Sequence, residues 1–97
     1  NLAQHTKRFF GMFTGELVSA TLWFDNSLVN PVLDRFGSDA VLQKRDDGFE
    51  VRAEVSDSPV FLSWVFQFGD KAEILAPESL RQSMAKLISD NAAKYSL

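Results

Sequence analysis

The chain has 97 residues, which suits one domain with a single hydrophobic core. A hydrophobic fraction of 45% and a charged fraction of 24% argue against intrinsic disorder, and a net charge of −3 argues against a surface that binds nucleic acid by bulk charge. The absence of cysteine excludes disulfides and thiolate metal sites, and no apolar run approaches the roughly 20 residues that span a bilayer.

The first half of the chain predicts a connecting segment, a strand and a short helix. Residues 1–16 carry an aromatic cluster, Phe9 to Phe13, between glycines and polar residues. Apolar residues then alternate with mostly polar ones from Val18 to Phe24, which is typical of a half-buried strand. The next run, "DNSLVNPVLDRFG", predicts a helix capped by one of the residues 25–27 and ended by Gly37.

The second half predicts a hairpin, a helix, a strand and a last helix. Asp47-Gly48 is a turn signal between two extended runs. Ser58 and Pro59 form a helix start, and Gly69 ends that helix. "KAEIL" (71–75) reads as a strand, and Pro77 opens the last helix. The predicted inward stripe of that helix consists of Leu80, Met84, Leu87, Ile88, Asn91 and Tyr95.

The element order β-α-β-β-α-β-α predicts an α+β fold. Two helices that cross between strands, with one hairpin, are typical of a ferredoxin-like βαββαβ sandwich, here with an extra C-terminal helix. One face of the sheet takes the helices, and the other is open or covered by something else. We expect residues 17–97 to form this domain.

No group of residues predicts catalysis, a metal or a cofactor. His5 is the only histidine, and a metal site needs three or four ligands. Asp46 and Asp47 are explained by the hairpin turn. Glu50 and Glu54 flank Arg52, as on a solvated strand face.

RNA binding is disfavoured on the open face of the sheet. Trp23 is the only aromatic residue expected there that could stack on a base. Carboxylates next to it would repel phosphate groups. Trp23 remains a candidate for contact with a protein or a small ligand.

The helix after Ser58 is apolar almost all round. With 100° per residue, one face of about 140° holds Val60, Phe61, Trp64, Val65 and Phe68. Leu62 and Phe66 lie outside that face. Three explanations of this second apolar side stay open: another part of the chain covers Leu62 and Phe66, a protein partner covers them, or they line a ligand pocket.

Four blocks of the sequence, spread over essentially the entire chain, are "FFGMFTGE", "FDNSLVNPVLDRFG", "SPVFLSWVFQFGDKAEILAPESLR" and the final "KY". Together they resemble the C-terminal extension domain of bacterial WYL-domain transcription regulators with a DeoR-like helix-turn-helix. The hallmark is a helix ending in W-x-x-x-F-G, a strand, and P-E-x-L/V-R. Here those positions are Trp64, Phe68, Gly69 and Pro77, and we interpret them as structural.

The resemblance implies a non-enzymatic domain without a cofactor, acting in transcriptional control in the bacterial cytoplasm. Effector residues of the family lie in the WYL domain, and DNA is bound by an N-terminal helix-turn-helix, so neither function is expected from these 97 residues. Residues 1–16 would then be the exit from a preceding WYL domain.

The resemblance also implies partners and an interface. We expect a homodimer, or contact with the WYL domain, and no membrane contact. The candidate interface residues are Phe9, Phe10, Phe13, Leu62, Phe66 and Trp23. The alternative function is a small-ligand-sensing domain of ferredoxin-like topology.

Overall fold

The computed structural model describes residues 16–37 and 40–96. They form a four-stranded antiparallel sheet and three α-helices, so the predicted α+β class is confirmed. In chain order the elements are β1 (Leu17–Phe24), α1 (Val29–Phe36), β2 (Val41–Arg45), β3 (Gly48–Ser56), α2 (Pro59–Phe66), β4 (Ala72–Ala76) and α3 (Glu78–Lys94). Short 3₁₀ turns, Asn26–Leu28 and Gly69–Lys71, precede α1 and β4.

The strands lie in the order β2-β3-β1-β4. The central pair, β1 and β3, is joined along its full length, from Leu17 opposite Ser56 to Phe24 opposite Phe49. Strand β2 continues the sheet beyond β3, and β4 lies on the other side of β1 with a register irregularity between Thr21 and Leu22. Each connecting helix therefore joins two strands that have a third strand between them.

The core lies between one face of this sheet and the helices. Because side chains alternate along a strand, every second residue of β1 and β3 points to the same face. The core combines these residues with one or more from each helix and one from β4: Ala20, Leu22, Phe24, Val32, Phe49, Val51, Val55, Phe61, Leu62, Val65, Ile74 and Leu80. The opposite face of the central strands carries Ser19, Thr21, Trp23, Glu50, Arg52 and Glu54.

The start of α2 is found as predicted, whereas the cap expected within residues 25–27 serves the 3₁₀ turn Asn26–Leu28. Helix α1 itself begins at Val29, after Leu28, which makes no side-chain capping bond. The carboxylate of Asp25 accepts hydrogen bonds from the backbone N–H (2.9 Å) and hydroxyl of Ser27. The hydroxyl and backbone bonds from Ser27 favour the charged carboxylate and hold the pKa of Asp25 below its usual value. At α2, the hydroxyl of Ser58 accepts from the backbone N–H of Phe61 at 3.3 Å, and Pro59 is the first helical residue.

The hairpin differs by one position from the predicted Asp47-Gly48 turn. Arg45 pairs with Gly48, so Asp46 and Asp47 form the two-residue connection and Gly48 begins β3. A glycine is required at position 48 because any Cβ there would overlap the carbonyl oxygen of Phe24. Close strand approach, and not the turn, explains this residue.

Only half of the residues in the predicted inward stripe of the last helix are buried or packed against the core. Leu80 is fully buried, and Met84 and Leu87 pack against the core. Ile88 and Tyr95, predicted to point inward, are 41% and 78% exposed, and Asn91 is also exposed. With 17 residues, α3 is about 25 Å long, whereas the five residues of β4 beneath it extend about 17 Å. The final turns of α3 therefore extend beyond the core.

Replacing Gly48 is expected to destabilise the fold far more than replacing Gly69. Gly69 has a φ of 62° but no atom near the site of an added Cβ, so Gly69→Ala should cost only about 1 kcal/mol of backbone strain. Gly48→Ala forces β1 and β3 apart and should cost about 3 kcal/mol or more. Urea denaturation of both variants measures the difference. Equal losses for both would contradict the close approach at Gly48.

Removing the hydroxyl of Ser58 should weaken the start of α2. Ser58 is 2% exposed, and its loss leaves the N–H of Phe61 without its cap, so Ser58→Ala should cost about 1 kcal/mol of unfolding free energy. Ser63→Ala, at an exposed position of the same helix, is the control, and we expect a change of less than about 0.5 kcal/mol. Denaturant midpoints that fall equally in both variants would exclude a capping role.

Candidate interaction surface

Helix α2 contacts both β4 and α3, which explains why it is apolar nearly all round. Phe61, Leu62 and Val65 are buried, whereas Val60 and Phe66 are 62% and 53% exposed. The prediction that Val60 belongs to the core face was therefore wrong. Leu62 is covered within this chain, as one of the alternatives held, and it is not available to a partner.

Trp64 is the centre of an aromatic cluster that joins α2 to the sheet and to α1. Its ring lies 5.8 Å from Phe24, 5.6 Å from Phe36 and 5.2 Å from Phe68, in edge-to-face geometry. The guanidinium of Arg35 sits 5.5 Å from the Trp64 centroid. These contacts are packing contacts between elements of the same chain, and they occupy the rings of Trp64 and Phe68.

Trp23 lies half-buried on the open sheet face and is tied to the hairpin. Its indole N–H donates to the carboxylate of Asp47 at 3.1 Å. Arg45 forms ion pairs with the same Asp47 (3.6 Å) and with Glu50 (2.8 Å). This face is polar around Trp23, with Glu50 directly opposite it on β3.

The exposed apolar residues of α2 and α3 meet along one groove. Two hollows, of about 270 and 440 Å³, adjoin each other at Phe66 and Ile88. The larger is also lined by Leu87, Ala92 and Tyr95, and the smaller by Ala85 on the α3 side. We name this region, formed by Phe66, Ala85, Leu87, Ile88, Ala92 and Tyr95, the Phe66 groove.

Two polar side chains that line the hollows, Asn91 and Arg81, already have partners. Asn91 donates to the carbonyl of Leu87 at 2.8 Å. Arg81 donates to the carbonyl of Ile74 at 2.6 Å and to Glu73 at 3.1 Å. Within residues 16–37 and 40–96, no buried side-chain polar atom lacks a hydrogen bond and no cluster of metal-ligating side chains occurs. The groove therefore suits an apolar partner better than a polar substrate.

The three predicted interface residues that the structure describes lie in three different places. Phe66 lies in the groove, Trp23 lies on the opposite side of the sheet, and Leu62 lies in the core. Phe9, Phe10 and Phe13 lie outside the described residues. The exposure of Ile88 and Tyr95 was not predicted, although the apolar residues 85, 88, 92 and 95 follow a 3-4-3 spacing beside the core stripe, and this spacing indicates a second apolar face.

Comparison with known proteins gives one family. No helix in the described part of the chain has the length and apolar character to cross a membrane. No curated protein matches the chain. The WCX domain family matches residues 16–90, which include all four strands and α3 as far as Asp90. This match covers well over half of the chain, so the protein belongs to the WCX domain family, the C-terminal extension domains of WYL-type regulators, which are regulatory domains and not enzymes.

Proposed function

We propose that this WCX domain is a non-enzymatic dimerisation domain of a bacterial, DeoR-like WYL regulator in the cytoplasm. It would couple effector sensing in a preceding WYL domain to DNA binding by an N-terminal helix-turn-helix. The observation that carries the proposal is the Phe66 groove, in which Phe66, Ile88 and Tyr95 are exposed together. Adjacent exposed apolar side chains of this kind mark protein contacts.

We also assign the sheet to the ferredoxin-like class. Support comes from the order β2-β3-β1-β4, in which all neighbours are antiparallel and each connecting helix joins strands separated by one other strand. This arrangement fits the split β-α-β pattern that the order of elements predicts. Helix α3 is then the addition to the common pattern, and it supplies most of the Phe66 groove.

Dimerisation fits the way such regulators bind DNA. A two-fold dimer positions two helix-turn-helix units about one DNA turn apart, which matches the symmetry of a palindromic operator. The charges of this domain support DNA contact only through the N-terminal domain, because the net charge is −3 and the Phe66 groove has one basic side chain at its edge, Arg81, which is already paired. If the groove instead contacts the WYL domain, this chain alone stays monomeric.

A small-ligand sensor is the second candidate, because the larger hollow has a volume typical of ligand pockets, about 300 Å³ or more. Its polar lining consists of Ser63 and Asn91, of which Asn91 is engaged with Leu87. A ligand that binds the folded state raises the melting temperature at constant protein concentration, whereas dimerisation makes the melting temperature depend on protein concentration.

The Phe66→Glu variant of the 97-residue chain should be monomeric where the wild type is dimeric. A carboxylate buried against Ile88 of the groove would lose its hydration, so we expect the dissociation constant to rise at least about tenfold. Light scattering after size exclusion, over a wide concentration range, measures the mass. Circular dichroism should be unchanged because Phe66 is 53% exposed.

Val60→Glu is the matched control for the Phe66→Glu variant. Val60 is exposed on the same helix, at 62%, and does not line the Phe66 groove, so its variant should dimerise like the wild type. A wild-type monomer at every concentration would contradict dimerisation by this domain. Equal weakening by both substitutions would contradict a specific role of the groove.

A further inference from the structure

Helix α3 has two opposite faces that its own core does not explain. Lys86, Asp90 and Lys94 repeat every four residues along one side, and Lys86 and Asp90 form an ion pair at 2.8 Å. The opposite side carries Ala85, Ile88, Ala92 and Tyr95, with spacings of three, four and three residues. This spacing is that of a helix seam that packs against another helix.

The apolar seam lies beside the part of α3 that the core covers. Taking Ile88 as zero and 100° per residue, the core-packed Leu80, Met84 and Leu87 lie at about −40° to −100°, and the four seam residues at about −20° to +60°. All four line the hollows on either side of Phe66. On the far side of the seam, Gln82, Ser89 and Ser96 are uncharged, and the charged Glu78, at about 80°, lies in the first turn of α3. The seam is therefore an uncovered surface bounded by Phe66 on one side and, beyond the first turn of α3, by neutral residues on the other.

We propose that a second copy of this chain occupies the seam, with the two α3 helices packed antiparallel about a two-fold axis. This inference rests on the proposed dimerisation and adds its geometry. In the register that sets Ile88 opposite Ala92 of the partner, Tyr95 falls opposite Ala85 of the partner. Each large side chain then meets a small one, and the symmetry creates every such pair twice.

A parallel pairing of the two α3 helices along the same seam would pack less well. In a parallel pair each residue faces its own equivalent, so Tyr95 would meet Tyr95 and Ala85 would meet Ala85. The two tyrosines would be crowded, and the two alanines would leave a gap in the same interface. The antiparallel arrangement also opposes the two helix dipoles. It brings Arg81, which lies at about 20° on the seam, towards the negative C-terminal end of the partner's α3. The geometry and the charges therefore favour the same orientation.

The Ala92→Glu variant tests the seam. Both Ala92 and Ala93 are exposed, but Ala93 lies at about 140°, between the seam and the charged face. Ala92→Glu should raise the dimer dissociation constant at least tenfold, because the carboxylate would be buried against Ile88 of the partner. Ala93→Glu adds the same charge to the same turn of the helix and should leave the dissociation constant within about twofold. Circular dichroism verifies that both variants fold.

Disulfide cross-linking tests the register, and the absence of native cysteine makes it specific. A mixture of the Ile88→Cys and Ala92→Cys variants should give an oxidised heterodimer, because facing positions approach the roughly 4.4–6.8 Å between Cα atoms that a disulfide needs. Either variant alone should cross-link much less, because its two thiols are offset by four residues, or about 6 Å along the helix axis. Cross-linking of Ile88→Cys alone at the same rate would overturn the antiparallel register.

The outcomes separate this inference from the proposed dimerisation. A dimer that Phe66→Glu dissociates but Ala92→Glu does not would preserve dimerisation and overturn the α3 pairing. Equal effects of Ala92→Glu and Ala93→Glu would also overturn it. A wild-type chain that stays monomeric would overturn both.

Discussion

The fold depends on burying a short helix from two sides at once. Helix α2 has eight residues, and such a length is not stable as an isolated helix, so tertiary packing must hold it. The sheet takes Phe61 and Val65, and the aromatic cluster around Trp64 attaches the helix to β1 and to α1. The remaining apolar side needs α3, which is why an element beyond the βαββαβ order is part of the structure.

This constraint has a consequence for the surface. Leu62 is buried, whereas Phe66, one turn later, is exposed and lines both hollows between α2 and α3. Helix α3 leaves its own Ile88 and Tyr95 exposed beyond the edge of the core. The exposed side chain of α2 and the exposed side chains of α3 therefore lie next to each other, and together they form one apolar groove. That coincidence supports a contact site more strongly than any one exposed residue does.

The elements could be predicted from sequence where the signal is local. Alternation along β1 and the Ser58-Pro59 helix start have physical causes within a few residues, so both are found where expected. The buried face of α2 could not be predicted in this way, because a helix that is apolar all round has no preferred direction. The projection at 100° per residue placed Val60 inside and Leu62 outside. Only the position of α3 decides between them. The coverage of Ile88 likewise depends on where the sheet ends and not on the residue itself.

Hydrogen bonds connect α3 to the point at which the preceding segment enters the domain. The hydroxyl of Ser83 donates to the carboxylate of Asp57 at 3.1 Å, and the backbone N–H of Asp57 donates to the carbonyl of Glu16 at 2.8 Å. Glu16 directly precedes β1. On the other side of α3, Arg81 bonds the carbonyl of Ile74 at 2.6 Å on edge strand β4. Any shift of α3 against the sheet would strain these bonds on both sides, so the position of α3 is linked to the start of β1 and to edge strand β4.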